Sequence, residues 1–371
     1  MRVSVPTEVK NNEFRVAITP VGVHELVRRG HEVIIQSGAG LGSSIADEEY
    51  VAQGARLVDD PDEVWALADL VVKVKEPVAE EYHRLRDDLM LFTYLRLAAD
   101  RAGTDALLAA GATAIAYETV QLPSGLLPLL YPMSEVAGCL APQVGAMAMT
   151  RTHGGRGLLM GGVGGVANAK VVILGGGTAG QNAANIAMGM GADVTILDTD
   201  LDKLRSTFWR FQNRVTQLAS SELAVRHQVL EADLVIGTVL VPGARAPKLV
   251  THEMVAQMKP GSVLVDVAID QGGCFEDSHP TTHADPTFTV EQSIFYCVAN
   301  MPGAVPHTST WALTNATLPY TVKLAEHGWQ DAMRGDPALA GGLNTHAGRV
   351  VHPAVAEAFG MEHRPVAEVL G

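Results

Sequence analysis

The chain is poor in cysteine, in basic side chains and in long apolar runs, and each shortage closes off a class of protein. Its three cysteines, Cys139, Cys274 and Cys297, offer neither a disulfide framework nor a zinc-ligand spacing. They are expected as small packed residues in a reducing cytoplasm. The 27 Lys and Arg residues are outnumbered by 41 Asp and Glu, for a net charge of −14. With no Lys/Arg-rich run to offset that balance, no nucleic-acid surface is expected. Gly, Pro or polar residues interrupt every low-charge stretch before about 18 consecutive apolar positions, so no membrane helix is expected either. The opening MRVSVPTEVKNNEFR lacks the apolar core of a signal peptide.

What is present is the raw material of an α/β protein. A chain of 371 residues with 47% apolar content is too long for one ordinary core and fits two domains. The short β-branched runs RVSVP, HEVIIQ, ADLVVKVKEP, LMLFTYL and TAIAYETV read as buried parallel strands. Between them, TPVGVHELVRRG and RAGTDALLAAG carry helical periodicity and end in Gly. A second series starts near AKVVILGGGTAG and runs through ADLVIGTVL and GSVLVDVAID. A long apolar helix over 133–150 connects the two series, and the segment from STWALTNATLPYTVKLAEHGW onward reads as helical and as returning to the first domain. The expected fold class is therefore α/β, with two doubly wound, Rossmann-like domains.

The most specific local pattern is VVILGGGTAG. Gly175, Gly177 and Gly180 form a G-x-G-x-x-G array between a strand and a helix, where glycines allow a tight turn and helix amides receive a pyrophosphate. The following strand, DVTILD, ends in Asp198, 23 positions after Gly175. A carboxylate there suits the ribose hydroxyls and repels a 2′-phosphate, so NAD is expected in preference to NADP.

Taken in order, PTEVKNNEFRVAITP, DLVVKVKEP, YETVQ, PMSEVAG, GGGTAG, DLVIGTVLVPGARAPKLV, VDVAIDQGGCFE and YCVANMPGAVPHTST resemble the alanine dehydrogenases, which are related to the nucleotide-binding part of transhydrogenase. The resemblance spans essentially the whole chain. It implies a substrate domain built from residues 1–128 and 306–371, an NAD-binding domain over 129–305, and a homohexamer. The implied activity is NAD-dependent interconversion of L-alanine with pyruvate and ammonia.

The resemblance also implies site residues. Arg15 and Lys75 correspond to the groups that hold the substrate's carboxylate and carbonyl; Tyr94 and Asn300 complete the substrate set, and Asp270 corresponds to the catalytic carboxylate. Read from its position, Asp270 closes the strand SVLVDVAID. Around the dinucleotide the matched positions are Ser134, Thr178, Ala179, Lys203, Ser220, Val239, Leu240, Ile269, Asp270, Val298, Asn300 and Met301, together with the three glycines and Asp198.

One position departs from the pattern. Arg96 stands where the alanine dehydrogenases carry a histidine that exchanges protons, and a guanidinium stays protonated and only donates. Proton transfer then falls to Asp270 or Lys75, while Arg96 becomes a candidate substrate anchor. Further departures are Tyr131 in place of a small residue, VGAMAMTR without an aromatic pair, His279 in place of an arginine near the cofactor phosphates, and Lys323 in place of an acid beside His327. No metal site is expected. Alternatives to alanine chemistry are a 2-oxo acid with a second anionic group, imine reduction of the opine type, or an NAD-binding homologue with impaired catalysis.

Overall fold

The structure, a computed structural model, describes residues 1–239 and 246–371. The chain forms two units, Met1–Met133 with Val305–Gly371, and Ser134–Ala304. In chain order the strands are β1 (Arg2–Val5), β2 (Glu32–Gln36), β3 (Arg56–Val58), β4 (Leu70–Val72), β5 (Met90–Thr93) and β6 (Thr113–Ala116). They continue with β7 (Lys170–Leu174), β8 (Asp193–Asp198), β9 (Thr216–Ala219), β10 (Leu234–Gly237), β11 (Val263–Asp266), β12 (Thr287–Val290) and β13 (Ser293–Tyr296). The last two are β14 (Leu343–His346) and β15 (Arg349–Val350).

The first unit has one sheet in the order β15-β14-β6-β5-β4-β1-β2-β3. Its six earliest strands are parallel, and β14 joins β6 antiparallel. β4, β5 and β6 are buried at every residue, which explains why their sequences are continuous apolar runs and do not alternate. Pro20 opens the helix Pro20–Arg28 with its preset φ, and the Asp100 carboxylate caps Arg101–Ala110 by accepting the Gly103 amide at 3.0 Å. The core on one side of the sheet gathers Trp65, Leu89, Leu91, Leu107 and Val355, each at least 98% buried. Burying such side chains contributes about 1.5–3 kcal/mol each.

The second unit repeats the plan in a sheet of order β12-β13-β11-β10-β7-β8-β9, with only β12 antiparallel. In both sheets the chain winds outward from the first strand in one direction and then crosses to its other side. The crossing leaves a crevice at the carboxyl ends of β1 and β4 in one unit, and of β7 and β10 in the other. The expected pair of doubly wound, Rossmann-like sheets is thus observed.

Three local expectations are corrected. The strand SVLVDVAID stops at Asp266, and Asp270 sits on the short 3-10 helix Val267–Gln271. The turn is set by the buried Asp266 carboxylate, which accepts the amides of Ala268 at 3.1 Å and Cys274 at 3.0 Å and the Ser278 hydroxyl at 2.5 Å. TAIAYETV is strand only as far as Ala116, after which Tyr117–Thr119 is a 3-10 turn. Finally, the C-terminal segment is not purely helical. After the long helix Pro306–Gly335, whose backbone breaks at Gly328, it supplies β14 and β15. The connecting helix runs Tyr131–Ala148 and contains Pro142. Among the described residues no helix is long and apolar enough to cross a membrane.

Candidate active site

In the second unit, β7 delivers the chain into Gly175, whose φ of 110° only glycine adopts readily, and the helix Thr178–Gly189 follows. Gly180 lies so close to the loop that an added Cβ would stand 1.8 Å from the Gly175 carbonyl oxygen. At Gly177, which opens the helix, an added Cβ would meet nothing within 4 Å, and no side chain caps the helix amides there. The loop thus combines a locked turn with open space in front of amide donors, which fits a pyrophosphate.

Neighbouring groups hold that cradle in place. Asp198, the last residue of β8, accepts the Gly176 amide at 2.6 Å and the Asp200 amide at 2.8 Å, with the Lys203 ammonium 3.9 Å away. Its carbonyl accepts the Ser220 amide at 2.9 Å. Thr238, just past β10, donates its hydroxyl to the carbonyls of Leu174 and Gly175 at 3.0 and 2.9 Å and so stitches the two strands at the crevice. Ser134, Thr178, Ala179 and Val239 are half-buried, whereas Val298, Met301 and Ile269 are buried and pack. Asn300 has a left-handed φ of 62° and exposes part of its surface, and Asp270 is exposed. Leu240 lies outside the described residues. His279 stacks on Phe288 with ring centroids 3.7 Å apart.

The crevice of the first unit is built from charge. Arg15 is 2% exposed, and its guanidinium grips both carboxylate oxygens of buried Glu13 at 2.6 Å each, while a third nitrogen lies 3.0 Å from the Met133 sulfur. Although burial works against its charge, the Glu13 carboxyl is held below the ordinary range by Arg15 and by the nearby charge of Lys75. Lys75 is half-buried, just beyond the end of β4. Tyr94, buried, donates its hydroxyl to the Leu129 carbonyl at 2.5 Å and stands edge-on to Tyr117 with centroids 5.0 Å apart. Burial pushes both phenols up, out of reach of ionisation near neutrality.

Arg96 is exposed and takes a left-handed backbone, φ 53° and ψ 33°, directly after β5. The Glu118 carboxylate imposes this turn by accepting the amides of Arg96 at 2.5 Å and Leu95 at 3.1 Å. Burial holds the Glu118 carboxyl above its ordinary range in spite of these donors. Tyr131 is exposed at the first residue of the connecting helix. Lys323 pairs with Asp336 at 2.6 Å, and the exposed His327 lies 3.8 Å from Glu326. Among the described residues no group of three or more His, Cys, Asp or Glu could hold a metal ion.

The first unit therefore carries Arg15, Lys75, Tyr94 and Arg96, and the second carries the glycine loop, Asp198, Asp270 and Asn300. Sequence reasoning missed the carboxylates that serve these residues: Glu13 beside Arg15, Glu118 under Arg96 and Asp266 before Asp270. Only Glu13 left a signal, two positions before Arg15 in NNEFR.

Comparison with known proteins agrees over the full length. Residues 4–137 match the family described as Alanine dehydrogenase/PNT, N-terminal domain, and residues 141–353 match Alanine dehydrogenase/PNT, C-terminal domain. The chain is 62% identical over 370 residues to an alanine dehydrogenase of Mycobacterium tuberculosis, covering 100% of both chains. A solved L-alanine dehydrogenase superposes with a TM-score of 0.95 at 52% identity, over 97% of this chain and 99% of that one. A transhydrogenase from Sinorhizobium meliloti superposes at 0.81 with 28% identity, over 95% and 100%. With both domains matched in order on two doubly wound sheets, the chain belongs to the alanine dehydrogenase/PNT family.

Proposed function

We propose that this protein is an NAD-dependent oxidoreductase acting on CH-NH2 donors, which interconverts L-alanine with pyruvate and ammonia. The observation that carries this is the glycine cradle, with its open Gly177 and the Asp198 carboxylate at the end of β8, set in a chain of this family. The NAD-binding domain is assigned to residues 129–305, and the substrate domain to 1–128 and 306–371. Gly175, Gly177 and Gly180, with Ser134, Thr178 and Ala179, would hold the pyrophosphate side of the dinucleotide, and Asp198, Lys203 and Ser220 the adenosine side. Val239, Leu240, Ile269, Val298, Asn300 and Met301 would line the remainder. When bound, the nicotinamide accepts or donates the hydride.

For the substrate, Arg15 and Lys75 would hold the carboxylate and carbonyl, with Tyr94 and Asn300 alongside. Asp270 would orient water or ammonia at the reacting carbon. In the direction of amination, ammonia adds to the carbonyl, water leaves, and the resulting iminium takes the hydride. The proton exchanged in the dehydration step cannot come from the Arg96 guanidinium, so it is assigned to Asp270 or Lys75. A homohexamer in the cytoplasm belongs to the same proposal.

A second substrate class is supported by Arg96 itself. An exposed guanidinium suits a 2-oxo acid with a further carboxylate, phosphonate or sulfonate. Counting Arg15, Lys75 and Arg96 alone overstates the surplus of positive charge, because Glu13 meets Arg15 on two bonds. That pairing favours pyruvate. The test is NADH consumption with ammonia and a panel of pyruvate, oxaloacetate, phosphonopyruvate and sulfopyruvate. Pyruvate is expected to turn over best. Turnover only with the doubly anionic acids would make Arg96 a specificity residue, turnover only with an amine in place of ammonia would indicate imine reduction, and NADH binding without consumption throughout would overturn the enzymatic proposal. In the same assay, if the missing acid/base is the only defect, Arg96→His is expected to raise pyruvate amination by up to about a hundred- to ten-thousand-fold, the usual contribution of a positioned general acid/base.

A further inference from the structure

At the crevice of the first unit, three charged side chains outside the assigned site are sealed from water. Glu8 follows β1, Lys73 follows β4, and Glu81 stands on the 3-10 helix Ala79–Arg84. Their side chains are 2%, 0% and 1% exposed. The Lys73 ammonium lies 3.3 Å from Glu8 and donates to Glu81 at 3.0 Å. Each carboxylate also holds backbone. Glu8 accepts the Val74 amide at 2.6 Å and the Lys75 amide at 3.3 Å, and Glu81 accepts the Val78 amide at 3.1 Å.

From this geometry we infer that Glu8, Lys73 and Glu81 form a buried positioning device for Lys75, the group assigned to the substrate carbonyl. The segment from Lys73 to Val78 is short: its start is still tied to the neighbouring strand, the Lys73 amide donating to the Phe92 carbonyl at 3.2 Å and the Tyr94 amide to the Val74 carbonyl at 3.3 Å, and it then crosses to the 3-10 helix. The two carboxylates grip it at the amides of Val74, Lys75 and Val78, and the single ammonium ties those carboxylates to each other. A β1 residue's successor thereby fixes the chain leaving β4, the neighbouring strand across which the crevice opens.

Apolar residues would hold this part of the core at least as well, because taking three charges out of water costs more than their attraction usually returns. What a buried, directional network adds is one allowed geometry. That geometry is useful where a reacting group must be placed to a fraction of an ångström. The inference rests on the proposed role of Lys75, and its experiment must separate the two.

The variants are Glu8→Gln, which keeps an acceptor for the Val74 amide but removes the charge facing Lys73, Glu8→Ala, which removes both, and Lys75→Ala. In pyruvate amination, Glu8→Gln is expected to lower kcat/KM for pyruvate by about ten- to hundredfold, the scale of a small misplacement of a reacting group. The KM for pyruvate rises while the KM for NADH stays unchanged, and Glu8→Ala loses more. A core-filling role alone would lower the thermal midpoint and leave the pyruvate KM intact, which would overturn the inference. Should Glu8→Gln fail to fold, Glu81→Gln severs the other end of the device and is expected to give the same KM split at smaller size. An active Lys75→Ala would overturn the role of Lys75 and the inference with it. A dead Lys75→Ala beside an unaffected Glu8→Gln would overturn the inference alone.

Discussion

The two sheets share the order of their first five strands and cross over at the same place, yet their crevices are made from opposite materials. Between β7 and β10 the walls are glycine and backbone amides, closed by one threonine hydroxyl and one carboxylate. Past the ends of β1 and β4 the crevice is instead backed by fully buried ions, Glu8, Lys73 and Glu81, with the Arg15–Glu13 pair also buried in the same unit. A dinucleotide brings its own charge and needs a surface that approaches closely and donates from fixed amides. A small keto acid offers few handles, so the protein must supply charge and fix it in position. The same topology can serve either need because the crevice belongs to the fold while its lining belongs to the loops.

That contrast can be broken from either side. Gly180→Ala should have the largest effect, since its Cβ would stand 1.8 Å from a backbone carbonyl that cannot move aside cheaply. NADH binding, followed by fluorescence titration, is expected to be lost. Lys73→Met strands two buried carboxylates, and denaturant unfolding should show a loss of about 3–5 kcal/mol, the cost of breaking a buried pair from one side. A loss below about 1 kcal/mol would mean that water reaches the triad, contrary to its burial.

Asp198→Ala removes a charged acceptor at the end of β8 and should weaken NADH binding by about ten- to a hundredfold, corresponding to a charged hydrogen bond of 1.5–3 kcal/mol. Affinity for NADPH should fall less or rise. At the bottom of the scale is the Arg2–Asp69 pair, at 2.6 Å but well exposed on both partners. Arg2→Ala is expected to leave the denaturant midpoint nearly unchanged, because solvent screens an exposed pair. A clear drop there would blur the distinction between buried and exposed charge on which the comparison rests.

The glycine crevice was legible in the sequence and the charged one was not. Gly175, Gly177, Gly180 and Asp198 fall at spacings dictated by local geometry, a turn, a helix start and the end of the next strand. The ion network joins Glu8 to Val74 and Lys73, some 65 positions away, and nothing in VKVKEP distinguishes the sealed Lys73 from the half-buried Lys75. Both occupy the same parity on an extended segment, so pattern alone assigns them equally. Asp270 was misplaced for a similar reason. SVLVDVAID is apolar enough to continue as a strand, and only the tertiary contacts of Asp266 with Cys274 and Ser278 reveal that it turns. The resemblance to alanine dehydrogenases supplied the names of the site residues, whereas the carboxylates that steady them emerged from the structure.

The antiparallel pairing of β14 with β6 also has a consequence for synthesis on the ribosome. The second unit is one continuous stretch and can close as soon as its last residue has emerged. The first unit begins earlier but finishes later, because the strand that covers the edge of β6 starts only at Leu343. Throughout the translation of some two hundred intervening residues, β6 is an apolar strand with an open edge. A nascent chain is therefore most exposed to mispairing while the second unit is being made, and it stays so until Leu343–His346 follows.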